Sequence, residues 1–113
     1  MVTELNADDQ KLVTLARAAR ARIRANNGAA VRDETGRTYV GADVDLSSLV
    51  ISAVELAVGQ AAASGAEQIS AMVIVTDGPF EQRPTTDSAA DMGCRVVVWA
   101  NAAGEVVDVF DDR

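Results

Sequence analysis

The sequence predicts an α/β protein, a three-layer α-β-α sandwich built on one mixed five-stranded sheet. The hydrophobic patterns follow the order helix, strand, strand, helix, strand, short helix, strand, strand. The run ISAMVIVTD is apolar and rich in β-branched residues, as expected of a central strand covered on both faces. The last two strand patterns are joined only by residues 101–104, which predicts an antiparallel hairpin.

The first helix is predicted within NADDQKLVTLARAARARIRANNG. Asn6 is expected to cap it, and the Asn-Asn-Gly of residues 26–28 to end it. Its buried stripe is formed by apolar residues at helical spacing: Leu12, Leu15, Ala16, Ala19 and Ile23. Two short strands follow within AAVRDETGRTYVGADVD, around a turn at residues 33–36.

The second helix is predicted within DLSSLVISAVELAVGQAAASGAEQ, with Asp45 or Ser47 as its cap and Gly65 at its end. It is apolar around its girth, so we expect it to be buried on two sides, by the sheet and by another helix or subunit. Gly59, an interior glycine, is expected to pack closely against a neighbour. A loop then carries one short helix over residues 86–92 before the closing hairpin.

Composition excludes several classes of function. The 113 residues predict a single domain, residues 1–113, and the net charge of −7 disfavours nucleic acid as a partner. There is no histidine, which removes the commonest general base and the commonest metal ligand. The only cysteine, Cys94, excludes an internal disulfide. Without an apolar signal segment or a run of about 20 apolar residues, we expect no membrane association and a cytoplasmic location.

Five local motifs occur in order along the chain: GAAV, GADVD, SAVELAVGQAAASGA, MVIVTDG and VVVWANAAGEVVDV. Their order and spacing resemble the small cytidine deaminases over nearly the whole chain. GADVD is similar to the family's Gly-x-Asn-Val-Glu, whose Asn and Glu hold the ribose hydroxyl, and SAVELAV resembles the helix that opens with Cys-Ala-Glu or His-Ala-Glu. The resemblance implies a cytidine deaminase-like fold and, because the family is commonly oligomeric, a homodimer or homotetramer.

In that family a Cys or His before Ala-Glu and two Cys of Pro-Cys-x-x-Cys hold one zinc ion, and the Glu shuttles protons. Placed on this pattern, the first ligand position falls on Ser52 and the proton shuttle on Val54. The Pro-Cys-x-x-Cys motif falls on PTTDS, with Thr85 and Ser88 at the cysteine positions. Hydroxyls are poor zinc ligands and a hydrocarbon carries no proton. We therefore expect no zinc or other cofactor, and no deaminase activity.

Two alternatives would restore an atypical site. Glu55 lies one residue after the shuttle position, about 100° around the helix, and needs a bulge to take that role; otherwise it is a partly exposed residue near the favourable end of the helix dipole. The segment DMGCR mimics Cys-Gly-Ala-Cys-Arg, with Asp91 and Cys94 as ligands. Because Cys94 leads directly into a strand, where the family has a helix, it is expected to be a small buried residue.

A degenerate pocket is expected at the mouth of the former metal site, lined by Asp43, Asp45, Ser52, Val54, Thr85 and Ser88. Asp43 and Asp45 keep the polar character of the ribose-holding pair, so a nucleoside-like ligand is one candidate. Asp45 could equally serve only as the helix cap.

The favoured hypothesis is a degenerate cytidine deaminase-like protein with a non-catalytic role: oligomer formation, protein interaction or binding of a small polar ligand. The alternative is an active cytidine or nucleoside deaminase-type hydrolase with an atypical site. A third hypothesis is an RNA-associated module acting through the basic residues of the first helix (Lys11, Arg17, Arg20, Arg22 and Arg24), which the total charge opposes. Trp99 is expected to pack at a subunit contact.

Overall fold

The computed structural model describes residues 5–112, apart from the side chain of Phe80. The helices and strands in this part of the chain are α1 (Ala7–Ile23), β1 (Asn27–Asp33), β2 (Thr38–Ala42), β3 (Val44–Leu46), β4 (Leu49–Ile51), α2 (Ala53–Ala63), β5 (Ile69–Thr76), α3 (Asp87–Asp91), β6 (Val96–Ala100) and β7 (Val106–Asp111), with a 3₁₀ turn at Phe80–Gln82. None of the helices within residues 5–112 has the length and apolarity needed to cross a membrane.

Five of the strands form one sheet in the order β2-β1-β5-β6-β7. β1 is antiparallel to both β2 and β5, β5 is parallel to β6, and β6 and β7 form an antiparallel pair. The predicted mixed five-stranded sheet and its closing hairpin are therefore confirmed. β5 is the central strand, and seven of its eight residues are buried, as its continuous apolar pattern predicts.

Helix α1 covers one face of the sheet. Its cap is Asn6, whose Oδ1 accepts a hydrogen bond from the Asp9 amide at 2.8 Å, as predicted. Leu12, Ala16 and Ala19 are buried, and the first two pack in a cluster with the valines of β5 and β6. Ile23 is 55% exposed, so its predicted burial is wrong. Ile23 is the last residue of α1 and lies beside β2, the strand at the edge of the sheet. Its side chain is exposed because no further strand lies beneath this end of the helix.

Helices α2 and α3 cover the other face. The buried side of α2 packs with alternate residues of β1 and β5, and Ala89 of α3 joins the same cluster. The outer side of α2 is exposed at Gly59, Ala62 and Ala63, so the helix is not buried on two sides within this chain. Its all-round apolarity comes from small residues, which favour a helix without requiring burial. A Cβ atom on Gly59 would have nothing within 4 Å, so the predicted close packing there is also wrong.

The start of α2 differs from the prediction. Residues 44–51 form a two-stranded hairpin, in which Val44 pairs with Ile51 and Leu46 with Leu49. The helix begins only at Ala53, capped by Ser52, so neither Asp45 nor Ser47 caps it. Val50 and Ile51 are β-branched residues that favour a strand, and an apolar run of this length fits either structure.

The turn between β1 and β2 is held by the buried carboxylate of Asp33. It accepts hydrogen bonds from the Thr35 hydroxyl at 2.7 Å, the Thr35 amide at 2.9 Å and the Tyr39 hydroxyl at 3.0 Å. The Thr35 hydroxyl, followed by these other donors, lowers the pKa of Asp33 below its ordinary value. A lowered pKa means that this carboxylate stabilises the fold at neutral pH and ceases to do so as acid protonates it.

Candidate functional site

The N-terminus of α2 is closed by two reciprocal hydrogen bonds. The Ser52 Oγ accepts from the Glu55 amide at 3.1 Å, and the Glu55 carboxylate accepts from the Ser52 amide at 3.0 Å. This is a capping box, and its sequence signature, Ser-x-x-Glu, is present in SAVE. Glu55 is thus an exposed capping residue, placed where the helix dipole favours an acid.

Val54 lies between Ser52 and Glu55 in the sequence, and its side chain points to a different side of the helix from that of Glu55. Its side chain is fully buried and belongs to the apolar cluster beneath α2, together with Ala57 and Ile74. Glu55 is exposed one residue later, as expected from a turn of about 100° per residue. The helix has no bulge there that would bring the carboxylate to the Val54 side, since the Leu56 amide donates to the Ser52 carbonyl at 2.9 Å.

Asp43 joins three parts of the chain at this end of the sheet. One carboxylate oxygen accepts hydrogen bonds from the backbone amide and the side-chain amide of Asn27, at 3.1 and 2.8 Å. The other accepts from the Ala53 amide, the first residue of α2, at 3.0 Å. Asp43 therefore ties the end of β2 to the start of β1 and to the helix N-terminus. Asp45, in contrast, is exposed on β3.

Asn27 was missed by the sequence reasoning, which assigned it only to the end of the first helix. It is 8% exposed, and its Oδ1 is buried without a hydrogen-bond partner in the described structure. The orientation of the amide follows from Asp43, because only the NH₂ group can donate to a carboxylate. A polar residue at the first position of a strand gives no sequence signal of such burial.

The N-terminus of α3 carries the other hydroxyl residues of the predicted pocket. The Thr85 hydroxyl accepts from the Asp87 amide at 3.2 Å. The Ser88 Oγ is buried and has no hydrogen-bond partner in the described structure. Because α3 packs against α2, both helices lie on the same face of the sheet. Asp43 and Ser52 both lie at the start of α2, whereas Ser88 is in α3 and Thr85 lies just before that helix.

The second alternative site, Asp91 and Cys94, lies at the far end of α3. Asp91 is exposed, whereas Cys94 is buried and donates from its Sγ to the Val96 carbonyl at 3.3 Å. Burial raises the pKa of this thiol. Cys94 is therefore a small buried residue two positions before β6, and its predicted burial is confirmed. Within residues 5–112, no three His, Cys, Asp or Glu side chains are grouped so as to hold a metal ion.

The basic residues of α1 are partly engaged within the fold. Arg20 forms an ion pair with Asp77 at 2.8 Å, and Arg17 donates from its Nε to the Ala102 carbonyl at 3.3 Å. Lys11, Arg22 and Arg24 are exposed. The five cations predicted as a possible RNA-binding face are thus divided between intramolecular contacts and solvent.

This arrangement, a mixed five-stranded sheet with α1 on one face and α2 and α3 on the other, is that of a cytidine deaminase-like domain. The family model described as "Cytidine deaminase-like" matches residues 5–104, and the chain belongs to that family. No curated protein sequence matches the chain.

Two solved structures show the same fold. The cytidine deaminase from Burkholderia pseudomallei is 23% identical with a TM-score of 0.74, over 95% of this chain and 93% of that one. The cytidine deaminase from Mycobacterium leprae is 21% identical with a TM-score of 0.63, over 92% of this chain and 93% of that one. At these identities the likeness shows the fold alone.

Proposed function

We propose that this protein is a member of the cytidine deaminase-like family that binds no zinc, has no deaminase activity and acts in a non-catalytic role. The observation that carries the proposal is the capping box at the start of α2. The residue at the first ligand position, Ser52, uses its Oγ to cap the helix, and Glu55 is fixed as its partner in the same cap. Both side chains therefore stabilise the helix N-terminus, and in the proposed function neither binds a metal ion nor transfers a proton.

The chemistry of the remaining positions supports this proposal. Thr85 and Ser88 offer neutral hydroxyls, whereas zinc in proteins is held by thiolate, imidazole and carboxylate groups. The position of the proton shuttle is taken by Val54, which is fully buried in the apolar cluster. These residues do not fit a catalytic zinc ion, and no step of a deamination is assigned to them.

Metal analysis of the purified protein tests the first part of the proposal. We expect well below one zinc ion per chain after gel filtration, and no loss of the ultraviolet absorbance of cytidine or deoxycytidine on incubation. One equivalent of retained zinc would contradict the proposal. Turnover that is abolished by Glu55→Ala would favour the alternative, an active hydrolase with an atypical site.

A gain-of-binding variant tests the assignment of the former site. If Ser52, Thr85 and Ser88 converge as the family pattern implies, replacing all three by cysteine should create a site for one zinc ion. The single Ser52→Cys variant is the control. If the folded triple variant binds no zinc, these residues do not converge and the former site lies elsewhere.

The proposed non-catalytic role includes a homodimer or homotetramer and a small polar, nucleoside-like ligand. The apolar side chains exposed on the β3–β4 hairpin support self-association: Leu46 is 61%, Leu49 50% and Val50 76% exposed. Gel filtration with light scattering should give at least a dimer, and a monomer at micromolar concentration would contradict it. The unpartnered Asn27 Oδ1 and Ser88 Oγ support a ligand with hydrogen-bond donors, which a cytidine titration followed by NMR would test.

A further inference from the structure

The helices cover the α2 side of the sheet incompletely. Helix α2 contacts β1 and β2 closely and reaches β5, whereas α3 contributes only the five residues of Asp87–Asp91. On β6 and β7, the pairs Val97–Phe110 and Trp99–Asp108 face this side, because side chains alternate along a strand. Val97 is buried, Trp99 is partly exposed and Phe110 is 57% exposed. An aromatic part of the sheet is therefore left open beside α3.

A cleft of about 350 Å³ occupies this place, lined by Thr86, Ala90, Cys94, Val97, Trp99 and Phe110. Its floor is β6 and β7, and one wall is the side of α3 formed by Thr86 and Ala90, which lie one helical turn apart. The small Ala90 side chain leaves this wall flat. The volume lies at the lower end of the range of small-molecule sites, about 300–1,000 Å³.

The indole ring of Trp99 is held in place by Arg83. The guanidinium carbon lies 4.5 Å from the ring centroid, and the same guanidinium forms an ion pair with Asp108 at 3.5 Å. Asp108 stands opposite Trp99 on the neighbouring strand. Stacking favours this orientation of the ring, whereas the long ion pair to the exposed Asp108 carboxylate adds little. An aromatic wall that already prefers one orientation needs less reordering when a ligand arrives, which favours binding.

A second copy of the chain is a less suitable occupant than a small molecule. Strand β7 lies at the edge of the sheet, where another strand could pair with it. However, Asp108 lies within this strand and Asp112 just after it, and charged residues on an edge strand oppose such pairing. The exposed Phe110 side chain is therefore better explained by a ligand in the cleft than by pairing of two copies at the sheet edge.

We propose that the cleft between α3 and the β6–β7 hairpin binds an uncharged planar aromatic molecule. Offset or edge-to-face packing against Trp99 and Phe110 supplies the main contact, and Thr86 is the polar residue that can orient the ligand. Anionic ligands are disfavoured, because Asp87 and Asp91 flank the lining residues of α3 and the nearby Arg83 guanidinium is already paired with Asp108. None of the residues that line the cleft belongs to the candidate site at the start of α2.

Trp99 is the only tryptophan of the chain, so its fluorescence reports on the cleft alone. The probe is para-nitrobenzyl alcohol, a planar aromatic that quenches tryptophan emission on contact. We expect saturable quenching, at least about tenfold weaker binding of the anion para-nitrobenzoate, and competition by benzyl alcohol but not by the non-planar cyclohexylmethanol.

Two variants and one control locate the site. Phe110→Ala removes one aromatic wall and should weaken binding about tenfold, whereas Ala90→Phe fills the cleft and should abolish it. Val107→Ala is the control, because Val107 is a similarly exposed residue, 52%, on the same strand that does not line the cleft, and binding should be unchanged. Linear, non-saturating quenching that is the same in all four proteins would overturn the proposal. So would a dimer that Phe110→Ala dissociates, because the cleft would then be an interface between copies.

Discussion

The two faces of the sheet are covered by helices in different ways. On one face, the long helix α1 packs over β1 and β5 and closes a valine-rich core. On the other face, α2 and the short α3 cover the sheet only as far as β6 and leave the aromatic cleft open. The helices that carry Ser52 and Ser88, and the cleft, lie on this second face. The α1 face is thus closed by core packing over the middle of the sheet, whereas the α2 face also carries polar helix ends and exposed aromatic side chains.

Helices α1 and α2 each pack over one glycine of the sheet, Gly28 and Gly41. Substitution of these two glycines is expected to give the largest losses of stability. A Cβ atom on Gly28 would overlap the backbone oxygen of Ala16 in α1, and one on Gly41 would lie 2.6 Å from the backbone oxygen of Ala53 in α2. Neither helix backbone can move away without losing its core contacts. We expect Gly28→Ala to lower the free energy of unfolding by about 3 kcal/mol or more, and Gly41→Ala by somewhat less.

Urea unfolding followed by circular dichroism measures both values. Gly36→Ala is not a suitable control, because Gly36 has a positive φ of 90°, whereas Gly59→Ala tests a helical glycine with open space around it. If both sheet variants are as stable as the unaltered protein, the two helices do not lie on these glycines.

The second-largest expected effect is on stability and distinguishes the two carboxylates of the candidate site, Asp43 and Asp45. Asp43→Ala removes the acceptor of three hydrogen bonds, two from Asn27 and one from the N-terminus of α2. We expect a loss of about 2–3 kcal/mol, because buried donors are left unpaired. Asp45→Ala, on the exposed β3 strand, should stay within about 0.5 kcal/mol of the unaltered protein. Equal losses in the two variants would show that Asp43 does not hold the helix N-terminus.

Much of the fold follows from patterns that the sequence displays directly. The β-branched run of β5, the short link between β6 and β7 and the Asn cap of α1 are local features, and each was predicted. Residues 49–51 were assigned to a helix, because a short apolar run fits both a helix and a strand. The Ser-x-x-Glu motif that follows would have placed the start of α2 at Ser52.

The site was less predictable, because its contacts join residues far apart in the chain. Asn27 and Asp43 are separated by 16 positions, as are Arg83 and Trp99, and no local pattern links either pair. The cleft depends on where α3 ends relative to β7, which is a consequence of packing. Sequence reasoning could name Trp99 as a contact residue but could not find its cavity.

The third effect compares the caps of α1 and α2. Asn6→Ala and Ser52→Ala each remove a side-chain acceptor from a helix N-terminus, so each should cost about 1 kcal/mol. Glu55→Ala should cost less than Ser52→Ala, because it removes only the reciprocal half of the capping box. Thermal unfolding of the three variants measures the differences. If Glu55→Ala were the most damaging of the three, Glu55 would have a role beyond the cap.

The smallest effect has the opposite sign and probes the outer side of α2. Gly59→Ala adds a methyl group where no atom lies within 4 Å, in a helix interior where alanine is favoured over glycine by about 0.5–1 kcal/mol. We therefore expect the variant to be more stable by up to that amount when the protein is a monomer. If the proposed oligomer forms through this side of α2, the methyl group meets a second copy instead of solvent. Unfolding measured over a range of protein concentrations distinguishes a solvent-exposed Gly59 from one in a subunit interface. A stabilisation that does not depend on concentration means that Gly59 lies outside any interface. A destabilisation that grows with concentration means that Gly59 lies inside one.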